Sequence, residues 1–267
     1  MKRQNLGAVL KGQRRSFFII FLFFPFLVLA QVRPGAEDTA AYFPLLKGKR
    51  VGIVANNASV SEGMNTVDFL LARGIRVKRI FSPEHGFRSE SEAGREFGDS
   101  RDPVTGLRIV SLYGSRKKPA LADLKGLDIM VFDIQDVGVR FYTYLSTLAY
   151  VMEACAEKQI PLLVLDRPDP NGFYIDGPVL EKEYASFVGL HPVPVVYGMT
   201  IGEYACMVNG ESWLKNGVRC DLTVIPVANY NHGTPYDLPV KPPPNLASRD
   251  AIFLYPSLCF FEGTIMS

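Results

Sequence analysis

The sequence predicts an α/β fold built on a mostly parallel sheet with helices on both faces. From residue 50 onward, short apolar segments rich in β-branched residues alternate with segments of helical spacing. Two of the apolar segments, 128–134 (DIMVFDI) and 161–165 (PLLVL), are apolar at nearly every position, as are strands buried on both faces. This alternation is typical of parallel strands joined by crossover helices.

The predicted elements follow one another in a regular order. The predicted strands are residues 50–55, 76–81, 108–112, 128–134, 161–165 and 221–227. Helices are predicted where apolar residues recur every three or four positions, and Gly74 and Gly217 are expected to end two of them. The predicted helices are residues 66–73, 120–124, 142–158 and 200–215.

The first thirty residues have the pattern of a secretory signal peptide. A basic segment precedes the apolar run 16–30, which contains Pro25 and is shorter than the roughly 20 residues of a membrane-spanning helix. Val28 and Ala30 fit the small-residue positions of a cleavage site. We therefore expect a periplasmic or secreted protein that has no integral membrane segment once the leader is removed.

Composition and net charge limit the classes of function that the chain after the leader can have. The protein has 29 Lys and Arg against 27 Asp and Glu, a net charge of +2, but residues 1–30 contain five of the bases and no acid. Without the leader the net charge is 2 − 5 = −3, which argues against nucleic-acid binding. We expect a polar entry segment at 31–48, a catalytic domain at 49–230, and a Pro-rich segment at 231–267.

Polar side chains follow successive predicted strands at the point where each strand ends. Ligands of open parallel sheets bind beyond these carboxyl ends, so the clusters predict a site there. The residues are Asn56 after the first strand, Glu84 and His85 after the second, Asp133, Asp136, Arg140, Tyr142 and Tyr144 at and after the fourth, and Asp166 and Arg167 after the fifth. Each cluster also has a structural interpretation as a turn, a cap or an ion pair.

Several classes of site are excluded by missing motifs. The first strand is not followed by a Gly-x-Gly-x-x-Gly turn, and there is no phosphate-binding Gly-x-x-x-x-Gly-Lys-Ser/Thr loop. A Gly-x-Ser-x-Gly nucleophile elbow is absent, and the three histidines do not have zinc-ligand spacing. The sequence therefore predicts neither a metal nor an organic cofactor. Carboxylates, amides, Arg and Tyr remain, and these are the side chains that line sugar-binding sites.

Six motifs carry a resemblance to a known family. In order along the chain they are VGIVANNAS, FSPEHGFR, VFDIQDVGVRFYTYLSTL, LDRPDPNGFYIDGPVLE, YGMTIGEYA and LYPSLCFFEGT. Together they resemble the NamZ-type exo-β-N-acetylmuramidases, formerly a domain family of unknown function, from about residue 46 to the end. The chain departs from the family pattern at Tyr197, where many relatives carry a His.

The resemblance implies a fold, an activity and a set of site residues. It implies a Rossmann-like N-terminal domain, and release of N-acetylmuramic acid from the non-reducing end of peptidoglycan fragments, with muramyl saccharides as partners. Glu84 is then the leading catalytic carboxylate. The other catalytic candidates are His85, Asp133 and Asp166, and the substrate-binding candidates are Asn56, Asp136, Arg140, Tyr142, Tyr144, Arg167 and Glu262.

Several alternatives remain open at this point. The second carboxylate of a glycosidase is Asp133, Asp136, Asp166 or Glu262, or the substrate's own acetamido group replaces it. Arg140 and Arg167 are candidates for a bidentate contact to the lactyl carboxylate of muramic acid. Relatives continue past the FEGT motif, so we expect the family's smaller C-terminal domain to be largely missing from this sequence. The rival functions are an N-acetylglucosaminidase and a non-catalytic cell-wall sugar-binding protein.

Overall fold

The computed structural model describes residues 31–88, 98–242, 246, 248–261 and 264. Seven strands form the main sheet of this part of the chain: β1 (Arg50–Ala55), β2 (Arg76–Ser82), β3 (Ser100–Arg101), β4 (Arg108–Ser111), β5 (Ile129–Asp133), β6 (Leu162–Leu165) and β7 (Leu222–Ile225). Their order is β3-β4-β2-β1-β5-β6-β7. Neighbours pair in parallel except β3, which is antiparallel to β4. The predicted α/β fold with a mostly parallel sheet is confirmed.

Helices cover both faces of the sheet, as predicted. The α-helices are α1 (Thr39–Leu46), α2 (Thr66–Ala72), α3 (Tyr144–Lys158), α4 (Ile201–Gly210) and α5 (Arg249–Leu258). On one face α1 and α2 form an apolar core with β1 and β2, and on the other face α3, α4 and α5 form a larger one. Because the central strands β5 and β6 are buried at every position, both faces must be covered.

Two predicted helices differ from the observed structure. Residues 120–124 form successive turns rather than a helix, and Gly126 with φ +79° leads the chain out of them towards β5. The predicted helix 200–215 begins as expected, where Thr200 and Glu203 form a capping box, but it ends at Gly210. Ser212 adopts φ +56°, a left-handed conformation that does not continue a right-handed helix.

Two α-helices and one strand of the main sheet are absent from the sequence prediction. Helix α1 lies in the segment expected to be a polar entry region, yet its Tyr42 and Leu46 are buried in the core. Helix α5 lies in the segment expected to be Pro-rich and extended, and its Ile252 and Tyr255 are buried. Strand β3 is only two residues long, too short for an alternation pattern to appear.

The topology places a crevice at the carboxyl edge of the sheet. Strand β1 lies between β2 and β5, so the connections from β1 and β5 leave in different directions. Ligands of doubly wound sheets bind at such a switch point. The polar residues that follow β1, β2, β5 and β6 therefore belong to one edge, as expected from the sequence. In the described part of the chain, none of the helices has the length and apolar character needed to cross a bilayer.

Candidate functional site

Glu84 lies in a tight turn after β2. The Gly86 amide donates to the Pro83 carbonyl at 3.3 Å, and both His85 (φ +73°) and Gly86 (φ +85°) have left-handed backbones. Such a conformation is uncommon for a residue with a side chain, and it concentrates at functional sites. The turn buries His85 and leaves Glu84 half-buried at the edge of the sheet.

The carboxylate of Glu84 is directed towards the start of α3. The Thr143 hydroxyl donates a hydrogen bond to Glu84 Oε2 at 2.9 Å, across 59 residues of sequence. Thr143 occupies the N-cap position of α3, but its side chain caps none of the helix amides. A negative charge at a helix N-terminus is favourable because the first amides have no intrahelical partners. Glu84 is therefore held by the Thr143 hydroxyl at the N-terminus of α3.

Asn56, Tyr144 and Tyr142 form a polar and aromatic wall beside Glu84. Asn56 Nδ2 donates to the Tyr144 phenol at 3.0 Å, and its Oδ1 accepts from the Ala58 amide at 3.0 Å. The Tyr142 and Tyr144 rings meet edge to face with centroids 4.8 Å apart. Burial raises the pKa of both phenols, so both stay protonated at neutral pH. The structure thus brings together three of the predicted substrate-binding residues.

Asp133, at the end of β5, and Arg167 form a buried ion pair. Arg167 Nε and Nη2 donate to the two oxygens of Asp133 at 2.6 and 3.0 Å, and Nη2 also donates to the Val60 carbonyl at 2.9 Å. The side chains are 1% and 0% exposed. Each charge is satisfied by the other, so this geometry does not support Asp133 as a catalyst or Arg167 as the receptor of a substrate carboxylate. The pair connects the end of β5 to the segment after β6.

Asp166 holds the N-terminus of α4. Its Oδ1 accepts from the amides of Arg167 and Gly202 at 2.9 and 2.8 Å, and its Oδ2 accepts from the Thr200 hydroxyl at 2.7 Å. Burial raises its pKa to about 6, against the lowering effect of these bonds. Both oxygens are engaged, so the geometry supports a structural role rather than the predicted catalytic one.

Arg140 binds backbone carbonyls. Its Nη1 donates to the carbonyls of Pro178 (3.0 Å) and Val193, and burial lowers the pKa of its guanidinium. These contacts tie the loop after β6 to the segment before α3. Its Nε is buried without a hydrogen-bond partner, and the predicted contact of Arg140 to a substrate carboxylate stays a prediction.

Asp136 differs from Asp133 and Asp166 because one of its carboxylate oxygens has no hydrogen-bond partner. Its Oδ1 accepts from the Tyr197 phenol at 2.5 Å and from the Gly138 amide at 2.8 Å, whereas Oδ2 is buried without a hydrogen-bond partner. Burial raises its pKa to about 6. Of the three described candidates for the second carboxylate, Asp136 alone keeps an oxygen that is not already engaged.

Asp169, which the sequence analysis did not select, faces the same region. Its Oδ1 accepts from the Asn171 amide at 2.8 Å and its Oδ2 is buried without a partner. A Cβ placed on Gly138 would lie 2.2 Å from Asp169 Oδ1, so only glycine allows this carboxyl to approach the backbone so closely. Burial raises the pKa of Asp169 well above its usual value, and the charge of Asp136 adds to the effect.

Two residues of the site were missed by the sequence analysis, and two predicted features lie outside the described residues. Thr143 and Asp169 were missed because nothing local in the sequence shows that a hydroxyl contacts Glu84 or that an acid remains unpaired. Glu262 and the leader 1–30 lie outside the described residues. Within the described residues, no group of three or more His, Cys, Asp or Glu side chains could hold a metal ion.

Known proteins with this architecture agree with the motifs. Residues 51–250 match the family model of the exo-β-N-acetylmuramidase NamZ, N-terminal. The chain is 46% identical over 233 residues to the peptidoglycan β-N-acetylmuramidase NamZ of Bacillus subtilis (strain 168), covering 85% of this chain and 55% of that protein. The chain therefore spans about half the length of this curated relative.

Solved structures show the same fold. A crystal structure of a DUF1343 family protein from Bacteroides fragilis NCTC 9343 is 50% identical, with a TM-score of 0.80 over 88% of this chain and 63% of that one. A second DUF1343 protein from the same strain is 35% identical, with a TM-score of 0.78 over 86% of this chain and 60% of that one. The fold, the motifs and these similarities together show that this chain belongs to the NamZ exo-β-N-acetylmuramidase family.

Proposed function

We propose that this chain carries the catalytic acid site of an exo-acting glycoside hydrolase. The reaction is release of N-acetylmuramic acid from the non-reducing end of peptidoglycan fragments. The observation that carries the proposal is the position of Glu84: a half-buried carboxylate, held by Thr143 at 2.9 Å, at the carboxyl edge of a parallel sheet. Similarity to a peptidoglycan β-N-acetylmuramidase supports the choice of substrate.

The residues around Glu84 form an ordered polar and aromatic wall. Tyr142 and Tyr144 are only 8% and 2% exposed, so they shape the wall beside Glu84, and Asn56 orients the Tyr144 phenol. Glycoside hydrolysis uses a second carboxylate, and Asp136 is the described candidate whose Oδ2 has no partner. We infer that Glu84 and Asp136 are the two acids, unless the acetamido group of the substrate takes the second role.

The first test is turnover of a disaccharide in which N-acetylmuramic acid is β-linked to N-acetylglucosamine. It uses this chain and a version joined to the C-terminal part of the Bacillus subtilis relative. We expect free N-acetylmuramic acid from at least the joined protein. Binding without release from either protein would favour a non-catalytic sugar-binding protein. Faster cleavage of an N-acetylglucosaminide would favour the N-acetylglucosaminidase.

The second test is Glu84→Gln in whichever form is active. Loss of the ionisable group should lower kcat by at least a hundredfold while the thermal unfolding midpoint stays unchanged. Glu181→Gln is the matched control, because Glu181 is an exposed Glu on the loop after β6. A folded Glu84→Gln variant with undiminished turnover would refute the assignment.

We further propose that the protein is exported to the periplasm or secreted. The basic and apolar pattern of residues 1–30 supports this, as does a substrate that lies outside the cytoplasm. Mass spectrometry of the protein isolated from its producing cells should show an N-terminus near residue 31. A mature chain that retains Met1 would contradict cleavage of the leader.

A further inference from the structure

A separate cavity of about 320 Å³ lies beside the Glu84 turn. Its floor is the carboxyl edge of two adjacent strands: Ser82 ends β2, Ser111 ends β4, and the two serines are paired in register. Residues on both flanks of Glu84, Pro83 on one side and Phe87 on the other, line the cavity. The cavity therefore shares a wall with the turn that carries the candidate catalytic carboxylate.

Strand order places this cavity on one side of Glu84 and the aromatic wall on the other. The sheet runs β4-β2-β1-β5, and Glu84 follows β2. Its carboxylate contacts Thr143, which follows β5, whereas the cavity lies over the ends of β2 and β4. A ligand that extends along this edge would pass from the wall formed by Tyr142 and Tyr144, across Glu84, into the cavity.

The wall of the cavity is polar, and its Arg88 guanidinium is paired with two carboxylates. The guanidinium of Arg88 makes two hydrogen bonds to Asp68, both 2.7 Å, and two to Asp102, at 2.6 and 2.9 Å. The aspartates lower the charge that Arg88 would otherwise present, so this wall does not favour an anionic ligand. Arg101, at the rim, is exposed to solvent and donates to the Gly106 carbonyl.

Apart from the ion-paired Arg88 and Asp102 and the rim residue Arg101, the lining is uncharged and suits a sugar ring. Pro83, Phe87 and Ile109 offer apolar surface, which packs against the faces of pyranose rings. The serine hydroxyls can exchange hydrogen bonds with sugar hydroxyls and an acetamido group. Ser82 is suited to this because its Oγ has only a long 3.4 Å contact to the Pro83 carbonyl. A volume at the small end of the range for ligand pockets, about 300–1,000 Å³, fits one ring rather than a chain.

We propose that this cavity is the leaving-group subsite, which binds the N-acetylhexosamine on the reducing-end side of the scissile bond. The proposal rests on the proposed function of Glu84, because the direction of the substrate follows from where the bond is cut. It assigns the muramic acid ring to the side of Asn56, Tyr142 and Tyr144. One binding position on each side of Glu84 suits an enzyme that removes a single terminal sugar.

The kinetic test compares a substrate that has a sugar leaving group with one that does not. Ser100→Trp fills the cavity from β3, so the substitution leaves the sequence of the Glu84 turn unchanged. The ratio of kcat/KM on the disaccharide to kcat/KM on an aryl β-N-acetylmuramide should fall at least tenfold. Ser82→Ala, a smaller change, should lower the same ratio about threefold. Val104→Trp is the control, because Val104 is 69% exposed and does not line the cavity.

A binding test keeps the subsite separate from catalysis. N-acetylglucosamine is titrated into the Glu84→Gln protein and followed by ligand-observed NMR, with and without Ser100→Trp. We expect saturable binding that weakens at least tenfold in the filled variant. Absence of binding, or equal binding in both proteins, would overturn the subsite. An unchanged kinetic ratio in Ser100→Trp would do the same, whereas failure of the unaltered protein on both substrates would overturn only the proposed function.

Discussion

Two pairs of side chains lie between the end of β5 and the segment after β6, and they are built in opposite ways. Asp133 and Arg167 are oppositely charged, fully buried and joined by two hydrogen bonds. Asp136 and Asp169 are both acids, lie on either side of Gly138, and each keeps one buried oxygen without a partner. The first pair has satisfied its charges within the protein, and the second has not.

The difference distinguishes acids that stabilise the fold from acids that are available for function, although the two kinds look alike in the sequence. A buried carboxylate paired with a guanidinium is expected to stabilise the fold, because removal of either partner leaves an unpaired charge in the core. A buried carboxyl with a bare oxygen responds to pH and retains the capacity to bind a donor. Position at a strand end is therefore not enough to assign a catalytic role.

Breaking the matched pair should have the largest effect. Arg167→Met leaves Asp133 buried without a counter-charge, and we expect a loss of about 3–5 kcal/mol in the free energy of unfolding, measured by urea denaturation. Arg50→Met is the control, because the Arg50–Asp128 pair is exposed and should contribute far less. Similar losses in the two variants would show that burial does not distinguish these ion pairs.

Removing the Tyr197 hydroxyl, which donates to Asp136, should cause a smaller loss of stability. Tyr197→Phe deletes the 2.5 Å hydrogen bond to Asp136 Oδ1 and leaves the ring in place. We expect a loss of about 1.5–3 kcal/mol, the range for hydrogen bonds to charged groups. Tyr184→Phe is the control, because Tyr184 is 68% exposed. Equal stability of Tyr197→Phe and the unaltered chain would mean that Asp136 is not ionised when Tyr197 contacts it.

Asp136 and Asp169 should make the free energy of unfolding depend on pH. Burial raises the pKa of Asp136 to about 6 and that of Asp169 well above its usual value, so the folded protein binds protons that the unfolded chain releases. Both acids therefore add stability at low pH, and this contribution is lost as the pH rises from about 4 through the raised values. Each contributes a slope of up to about 1.4 kcal/mol per pH unit.

The Asp169→Asn variant tests whether the stability contribution of Asp169 falls as the pH rises. The neutral amide has no proton to lose, so the variant should gain stability relative to the unaltered chain as the pH rises. Urea denaturation at pH 4, 5, 6 and 7 measures the difference. Asp237→Asn is the control, because the Asp237 side chain is 78% exposed. A pH-independent difference between Asp169→Asn and the unaltered chain would show that Asp169 does not titrate in this range.

Much of the fold was predictable because its signals are local. All six predicted strands are present. The signal is clearest for β5 and β6, because a strand buried on both faces must be apolar throughout. Helix α4 ended earlier than predicted at Gly210, because apolar spacing continued past the point where the backbone turned left-handed at Ser212. Helix α1 was missed because residues 31–48 were interpreted as a polar entry segment, and α5 was missed because the prolines between residues 239 and 244 suggested extended chain.

The alternation of strands and helices, the family, and the edge of the sheet at which the polar side chains gather all follow from residue type and spacing along the chain. Which acid is paired with a counter-charge, and which is not, depends on the folded structure. Asp133 meets Arg167 across 34 residues, and Glu84 meets Thr143 across 59. The free energy of a carboxylate depends on burial and on partners a few ångströms away, and distance along the chain does not report either.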